Sequence, residues 1–530
     1  MECEIKLALD AASVGKIRKI PFLRPQDGAK AAEREHLDRY FDTADFTLWQ
    51  HGFALRVRSE GTRHVQTLKG GGTVVAGLHS RVELEAEVAS AEPDRALFAR
   101  QLREAVPALA KQLGHHDVPL QPVFVNKTKR AAWTLALEDG MQVECALDTG
   151  ELQFGDRTVP VRELELELKD GAGKAGSARL YELARQVHEA VPVRIENISK
   201  AERGYALAGA VAPRAVKAKA VKLKRKASMG VALGGILRNC LEQMQANEQG
   251  VLAGQAESLH QMRVGLRRLR AAMAMVQAMV RLPVPLANEV EWLAGELGDA
   301  RNWDVFIDSL LPGLPVPDEY KSALARVTVA AREEAERHRA RVRAAAGSPR
   351  YTGLMLGLGA WIAGEGWRQP ASRPAAAGDD TAADAATDAA AGAQDALEQK
   401  VAKAAPRLVQ HAAARVRKRA RGYDLQRPEC LHKVRIAAKK ERYAREFFES
   451  FSHGKKEARR HDLLAGMQDE LGLLNDAVVA RGLVAQLRER VPQELALLGF
   501  IEGVLAAREA DTLPLAGKHV RRKLRARAAF

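Results

Sequence analysis

The feature that most constrains this chain is a strict alternation of charged and apolar residues in its first segment. If residues 1–9 form a β-strand, Glu2, Glu4 and Lys6 share one face and apolar residues fill the other. The same alternation recurs in later segments, at 54–58, 81–87, 143–148 and 163–169. Their polar faces hold almost only carboxylates, arginines and lysines. A closed antiparallel barrel with a charged lumen explains this pattern economically.

The overall charge indicates an anionic partner. The formal net charge is +15, which suits binding of a phosphate polymer, a nucleic acid or an acidic membrane surface. Aromatic residues make up only 5% of the chain, and this argues against single-stranded nucleic acid, whose bases usually stack on aromatic side chains. Because acids and bases share the predicted lumen, it suits metal ions held by carboxylates and a polyanion held by Arg and Lys.

The sequence also predicts a cytoplasmic protein. The four cysteines are scattered without metal-binding or redox spacing, which is typical of inert thiols in a reducing compartment. The predicted strand starts at once, so we expect no secretory signal. The longest apolar stretch, 354–363, is too short to cross a bilayer, so we expect no membrane partner.

Between the charged segments, the sequence predicts further strands and two helices. Periodicity predicts one amphipathic helix over 92–113 and a second over about 175–190. Strands are expected at 122–127 and 130–138, and a turn at 150–155. Arg130 follows Lys127 and Lys129, so the register of its strand decides which of the three faces inward.

The second half of the chain looks helical and carries an internal repeat. A basic linker at 209–227 precedes it, and strand alternation is absent after that point. Segment 259–270 matches 431–442, and 295–302 matches 469–476, so the two copies keep register. We expect two helical bundles related by a pseudo-twofold axis, at about 228–368 and about 395–530, with a disordered Ala/Asp-rich loop at about 370–394.

Each copy of the repeat places a histidine and three basic residues on one helix face, at i, i+3, i+7 and i+10. Like charges along one stripe repel each other, and a bound anion would offset that cost. Neighbouring arginines disfavour protonation of the histidines, which we expect to be neutral hydrogen-bonding groups. The two predicted anion-binding stripes are His260, Arg263, Arg267 and Arg270, and His432, Arg435, Lys439 and Arg442.

The motifs of the first half, taken in order, resemble the CYTH domain of the triphosphate tunnel metalloenzymes. They include Glu2-x-Glu4-x-Lys6, Tyr40-Phe41-Asp42-Thr43, Arg56-x-Arg58, Thr67-Leu68-Lys69, Arg81-x-Glu83-x-Glu85, Ala146-Leu147-Asp148, Glu163-Leu164-Glu165-Leu166-Glu167 and Ser199 to Tyr205. The helical half resembles the CHAD domain through its two His-x-x-Arg helices and their Glu-Leu-Gly partners. The expected fold is therefore an α+β half with a closed β-barrel tunnel, followed by an all-α half. The expected domains are a tunnel domain at 1–208, the linker at 209–227 and a CHAD-like domain at 228–530.

The resemblance implies an Mg²⁺- or Mn²⁺-dependent hydrolase of inorganic triphosphate. One metal would orient the triphosphate and a second would activate water, which a carboxylate could position. The implied metal ligands are Glu2, Glu4, Asp148, Glu163 and Glu165. The implied substrate-binding residues are Lys6, Arg56, Arg58, Lys69, Arg81, Arg130, Lys200 and Arg203. The candidate catalytic residues are Glu2, Glu4, Lys6 and Glu85.

Several points stay open at this level. Glu83 and Glu85 could bind metal, hold basic side chains or orient water, and Glu87 and Glu144 could face the lumen or the surface. Glu167 and Lys169 are expected to be exposed, where the strand leaves the barrel.

The CHAD resemblance implies binding of inorganic polyphosphate, with an association with polyphosphate granules. Three alternatives to the inorganic triphosphatase remain: a thiamine triphosphatase or an adenylate cyclase on the same tunnel, a non-catalytic granule-binding protein, and, more weakly, a nucleic-acid binder. The sequence does not decide among triphosphate substrates, the metal, the polyphosphate length, cooperation between the halves or the oligomeric state.

Overall fold

The structure, a computed structural model, describes residues 2–24, 31–113, 119–169, 174–210, 214–368, 392, 394–421, 428–451 and 455–525. The loop predicted at about 370–394 therefore lies almost wholly outside the described residues. The chain forms two compact units. One holds residues 1–214 and 347–366, and the other holds residues 215–346 and 367–530.

The first unit is built on an antiparallel sheet that closes on itself. Its strands are β1 (Glu2–Ala8), β2 (Ala32–Asp42), β3 (Phe53–Glu60), β4 (Arg63–Val75), β5 (Leu78–Val88), β6 (Gln121–Ala136), β7 (Gln142–Phe154), β8 (Arg157–Leu168) and β9 (Arg194–Ile195). The order is β5-β4-β3-β2-β6-β7-β8-β1, and pairing of β1 with β5 closes the barrel, while β9 adds to the far end of β1. The predicted closed barrel is confirmed.

Strand register explains why the charged residues meet inside the barrel. Lys6 lies opposite Glu165, Glu4 opposite Glu167 and Arg130 opposite Asp148. The side chains between them point outward, because successive residues of a strand alternate faces. On that outer face the apolar side chains pack under helices and form the core of the unit, for example Leu55 and Leu68 beneath Phe98.

The helices of this unit cover the barrel. They are α1 (Ala11–Ile17), α2 (Thr47–Gln50), α3 (Arg95–Ala105), α4 (Pro107–Leu113), α5 (Lys174–Ala190), α6 (Lys200–Leu207) and, much later in the chain, α12 (Pro349–Ala363). The apolar helix α12 packs against α5. Residues 349–363 fall within the range that the sequence assigns to the first helical bundle, yet they belong to the barrel unit.

Three local sequence predictions were wrong. The helix expected over 92–113 is two helices, because the chain breaks at Val106, before Pro107, and proline cannot continue a helix. The two strands expected over 122–138 are the single long strand β6. The turn expected at 150–155 starts later, because β7 continues to Phe154 through Gly150, which has a φ of 158°.

The second unit is helical. Its helices are α7 (Met229–Gln245), α8 (Glu248–Leu252), α9 (Ala256–Val276), α10 (Val284–Val305), α11 (Lys321–Ala346), α13 (Val401–Arg421), α14 (Pro428–Phe447), α15 (Lys455–Arg490) and α16 (Leu495–Arg525). α7 packs against α9 as α13 packs against α14, and α9 also contacts α14. Part of the predicted basic linker is bound to this unit, since Asn247 pairs with both backbone groups of Val216. Among the described residues, no helix is long and apolar enough to span a membrane.

A glycine pair on α12 tests its contact with the barrel unit. A methyl group at Gly359 would lie 2.4 Å from the ring of Tyr181, whereas one at Gly353 would lie 3.5 Å from its nearest neighbour, His188. We expect Gly359→Ala to lower the free energy of unfolding by about 1–3 kcal/mol through overpacking. Gly353→Ala is the matched control, and we expect it to be neutral or stabilising because alanine favours helices. Denaturant titration measures the free energy of unfolding of both variants, and equal values would contradict the close contact between Gly359 and Tyr181.

Candidate functional site

A cavity of about 500 Å³ occupies the barrel lumen, and its lining is dominated by charged side chains. Carboxylates lie on β1, β5 and β8, and basic residues lie on β1, β3, β4, β5 and β6 as well as at the start of α6. The lining includes Glu4, Lys6, Arg56, Arg58, Lys69, Arg81, Glu83, Glu85, Arg130, Glu165, Glu167 and Lys200.

Three buried carboxylates form the deepest acidic group of the lumen. Asp148, Glu163 and Glu165 each offer an oxygen within 4.8 Å of the others. The ammonium of Lys200 lies among them, with its Nζ 2.8 Å from Asp148 Oδ2 and 2.8 Å from Glu165 Oε1, and it also contacts Glu163. Arg130 donates to both oxygens of Asp148, at 2.8 and 2.7 Å. The chain's own cations therefore neutralise these three carboxylates.

These cations keep the carboxylates ionised. Burial raises the pKa of Asp148, but Lys200 and Arg130 lower it more strongly, to about 2. Burial also raises the pKa of Glu165, but Lys6 and Arg130 together outweigh this effect and bring the pKa below its usual range. Burial lowers the pKa of Lys200 despite the attraction of Asp148. The lumen is thus a network of compensated charges that are close together and removed from water.

A second acidic group is formed by Glu4 and Glu167. Lys6 donates to Glu4 Oε2 at 2.8 Å, while Glu4 Oε1 is buried, lies 3.7 Å from Lys69 Nζ and accepts no hydrogen bond from the described residues. Burial raises the pKa of Glu4, but Lys6 and Lys69 together lower it well below its usual range. Glu167 lies opposite Glu4, and burial followed by repulsion from Glu4 raises the pKa of Glu167 to about 7. An unsatisfied carboxylate oxygen beside a second carboxylate fits a hard divalent cation. The donor set of the lumen therefore fits Mg²⁺ or Mn²⁺.

The opposite wall is basic and is held in place by one buried aspartate. Asp38 is fully buried and accepts from Arg58 at 2.7 and 3.1 Å and from Asn126 at 3.0 Å. Arg56 lies 3.7 Å from the same carboxylate. Burial raises the pKa of Asp38, but Arg58 and Arg56 lower it well below its usual range. An ionised Asp38 thus orients two guanidinium groups beside the cavity.

The structure places most predicted lumen residues together. Glu83 and Glu85 hold basic side chains, since Lys69 lies 3.1 Å from Glu83 and Arg56 lies 3.4 Å from Glu83 and 3.5 Å from Glu85. Arg203 donates to Glu163 at 2.6 Å. Glu2 belongs to β1 opposite Arg81, but its side chain lies outside the described part of the structure.

The residues whose orientation stayed open divide between the two faces. Arg130 points inward, while Lys129 pairs with Glu33 on the outside. Glu87 is exposed beside Arg63. Glu144 pairs with Lys169 at the end of the barrel.

Two features escaped the sequence argument. Glu167 was expected to be exposed, but β8 stays in the barrel to Leu168, so Glu167 lines the cavity. Asp38 was not recognised, because its strand also carries many outward charges. Strand alternation could have indicated it, because Asp38 lies two residues before Tyr40 and therefore shares its strand face. Tyr40 lines the cavity.

In the helical unit, the two predicted stripes meet where α9 contacts α14. Arg267 donates from Nε to the hydroxyl of Tyr443 at 2.6 Å, which links the two repeats. Burial, then Arg267, Arg435 and Arg301, lower the pKa of Arg263 to about 10. Basic residues of both repeats therefore lie close enough to repel one another. We call Arg263, Arg267, Arg301, Arg435 and Lys439 the basic face.

The other residues of the two stripes each have their own contacts. Arg270 pairs with Glu291 at 2.6 Å, on the exposed surface. His432 lies 3.2 Å from Asn475 Oδ1. Burial followed by Arg301 lowers the pKa of His260, which agrees with a neutral imidazole. Arg442 stacks on Tyr443, at 5.4 Å from the ring centre.

Comparison with known proteins agrees with this architecture of a charged-lumen barrel followed by a helical unit. Residues 1–205 match the CYTH domain and residues 235–485 match the CHAD domain. The chain therefore belongs to the proteins that join a CYTH domain to a CHAD domain, and the predicted resemblance is confirmed.

Two relatives extend this comparison. An inorganic triphosphatase of Haemophilus influenzae is 32% identical over 212 residues, 39% of this chain, and the match spans about half, 54%, of that relative. The crystal structure of the CHAD domain from the plant Ricinus communis has 33% identity and a TM-score of 0.51, over 60% of this chain and 98% of that one. This structural match supports the predicted helical second half.

Asp38 offers a direct test of the charged lumen. Asp38→Asn removes the charge that orients Arg56 and Arg58, and we expect it to lower the free energy of unfolding by about 3–5 kcal/mol, as when a buried ion pair loses one partner. Glu33→Gln is the control, because Glu33 lies on the outward face of the same strand and pairs with exposed Arg18 and Lys129. We expect it to leave the stability nearly unchanged, because exposed ion pairs contribute little. Denaturant unfolding measures both, and a small loss in Asp38→Asn would argue against a buried network.

Proposed function

We propose that the barrel hydrolyses inorganic triphosphate with the help of Mg²⁺ or Mn²⁺. The observation that carries the proposal is a cavity with a buried Glu4 oxygen that accepts no hydrogen bond from the described residues on one side, and arginines oriented by Asp38 on the other. A triphosphate carries several negative charges, which Arg and Lys side chains bind through charge-assisted hydrogen bonds. The similarity to the Haemophilus influenzae inorganic triphosphatase supports the same activity.

In this mechanism the basic wall binds the substrate. Arg56, Arg58, Lys69 and Arg81 line the cavity and would grip phosphate oxygens, with Asp38 keeping the first two oriented. Arg130, Lys200 and Arg203 are committed to carboxylates in the absence of ligand, so they would bind phosphate by exchanging partners. Because Asp38 already holds Arg56 and Arg58 charged and positioned, these two side chains require little reorganisation during the reaction.

The acidic wall would hold the metal and position water. Glu4 Oε1 accepts no hydrogen bond from the described residues and Glu167 lies opposite Glu4, so we propose these two residues as ligands together with Glu2. Asp148, Glu163 and Glu165 could ligate only by releasing Lys200. A bound divalent ion would neutralise phosphate charge and lower the pKa of a coordinated water. Glu85 and Lys6 remain candidates for orienting that water and the transferred phosphoryl group.

We further propose that the helical unit binds inorganic polyphosphate along the basic face. The support is the mutual repulsion of Arg263, Arg267, Arg435 and Lys439, which a chain of phosphates would relieve. The stripes of both repeats contribute, so a polyanion would contact both copies. We therefore propose a tunnel domain at 1–208 and a polyphosphate-binding domain at 228–530, in a protein that associates with polyphosphate granules.

Phosphate release tests the catalytic proposal. We expect metal-dependent release from inorganic triphosphate, with slower release from ATP, thiamine triphosphate and long-chain polyphosphate, and none with a chelator. We expect Glu4→Gln to lower the rate by about 100-fold through weaker metal binding, and Glu33→Gln to leave it unchanged. Faster release from thiamine triphosphate, or pyrophosphate release from ATP, would assign a different tunnel enzyme. No release from any substrate, with polyphosphate still bound, would leave a non-catalytic binding protein.

The pH dependence of polyphosphate binding tests the basic face. Burial, then Arg435, Arg267, Arg263 and Arg442, lower the pKa of Lys439 to about 7. A bound polyanion raises that pKa, so binding takes up a proton above pH 7 and the affinity falls as the pH rises. Without ligand, the lowered pKa has the opposite effect on folding: stability increases as the pH rises above about 7.

Calorimetry of long-chain polyphosphate binding near pH 8, in buffers of different ionisation enthalpy, measures the proton uptake directly. We expect Lys439→Met to remove most of it. Lys403→Met is the control, because Lys403 is exposed on α13 and we expect it to leave the uptake unchanged. Equal uptake in both variants would show that Lys439 does not contact the polyanion.

A further inference from the structure

A groove of about 600 Å³ lies in the helical unit, on a side of α14 other than the basic face. Its floor is apolar and includes Met275, Leu408 and Ile436, and Ile436 remains 41% exposed. Its walls are cationic: Arg415, Lys418 and Arg419 from α13, and Lys433 and Lys440 from α14. No carboxylate belongs to the lining of the groove in the described part of the structure.

The groove follows two helices along their length. Leu408, Ala412, Arg415 and Arg419 fall at i, i+4, i+7 and i+11 of α13. On α14, Lys433, Ile436 and Lys440 fall at i, i+3 and i+7. Eleven residues of helix span about 16 Å, which is about three helical turns. The result is an elongated trough with an apolar centre and basic rims.

The internal repeat shows that this side of α14 lacks partners that its counterpart has. Lys440 matches Arg268 of the first repeat, 172 positions earlier. Arg268 is buried and donates to Glu446 at 2.8 Å, to Asn239 at 2.9 Å and to Gln243 at 3.0 Å. These acceptors engage each of the three guanidinium nitrogens.

Lys440 has no comparable acceptor among the described residues. Burial, then Arg415 of α13 and Arg270 of α9, lower the pKa of Lys440. The other titratable groups that face the groove, His411, Lys418 and Arg419 from α13 and Lys433 from α14, add no negative charge. An external carboxylate would stabilise a half-buried ammonium that is surrounded by cations.

We propose that this groove binds an acidic amphipathic helix of another protein, with apolar side chains on the floor and carboxylates against both rims. Helices with an apolar face commonly dock in grooves of this kind. Inorganic polyphosphate would use the basic rims but would leave Ile436, Leu408 and Met275 exposed to water. A nucleotide would find no Phe, Tyr or Trp side chain in the described lining on which to stack its base. This inference is independent of the proposed triphosphatase and polyphosphate functions.

Two labelled peptides of about 14 residues, or about four helical turns, test the proposal against the full chain. The first places leucines every three or four positions and glutamates on both flanks. The second has the same composition in scrambled order, so it keeps the charge but loses the apolar face. Fluorescence anisotropy measures the affinity of each, and we expect the amphipathic peptide to bind at least about tenfold more tightly.

Three variants locate the binding. We expect Arg415→Glu and Ile436→Ser each to weaken binding of the amphipathic peptide by about tenfold or more, since one removes a rim charge and the other an apolar anchor. Both positions are exposed, so the fold is retained. Arg407→Glu is the matched control on α13, because Arg407 is exposed and does not line the groove, and we expect less than about a twofold change.

Several outcomes would overturn the proposal. They are failure of the amphipathic peptide to bind, equal binding of the scrambled peptide, or an equal effect of Arg407→Glu and Arg415→Glu. The groove would be a simple anion site if it bound polyphosphate or anionic vesicles and if Arg415→Glu, but not Ile436→Ser, weakened that binding. Phosphate release from triphosphate, measured on the same variants, should stay unchanged and separates this result from failure of the proposed enzyme.

Discussion

The barrel depends on pairing charges that are removed from water. Each buried ion costs several kcal/mol unless an opposite charge and hydrogen bonds compensate it, and this lumen holds Asp38, Asp148, Glu163 and Glu165 together. Every one of them has a basic partner within the same barrel. The compensation maintains a polar interior in a closed sheet, while the outward apolar side chains form the hydrophobic core with the helices. The charges that stabilise the fold are therefore the same charges that a phosphate ligand would use.

The alternation in the sequence was sufficient to predict the barrel, because period two determines which side chains share a face. It identified Glu4, Lys6 and Glu165 as facing one lumen. It could not determine how far each strand stays in the sheet, and for that reason Glu167 was assigned to the surface. Asp38 was missed for a related reason, since a strand with charges on both faces gives no clear signal of which charge is buried.

Helix periodicity likewise predicted which residues share a helix face, but not which residues they contact. It placed Arg263 and Arg267 on one stripe, but not the hydrogen bond from Arg267 to Tyr443 of the other repeat. Residues 349–363 show the same limit more strongly. An almost wholly apolar helix fits any core, and its contacts in the structure, such as the close approach of Gly359 to Tyr181, show that it belongs with the barrel.

The two repeats of the helical unit show how one backbone arrangement can carry two different surfaces. Arg301 adds a positive charge beside His260 and Arg263 in the first copy, where the second copy has the neutral Asn475, 3.2 Å from His432. Arg268 finds three acceptors, while the matching Lys440 finds none among the described residues. Backbone packing tolerates such changes because the helices are held by apolar contacts on other faces. The charged residues can therefore differ between the two copies. The first copy contributes Arg301 to the basic face, and the second has a cationic groove with an exposed apolar floor.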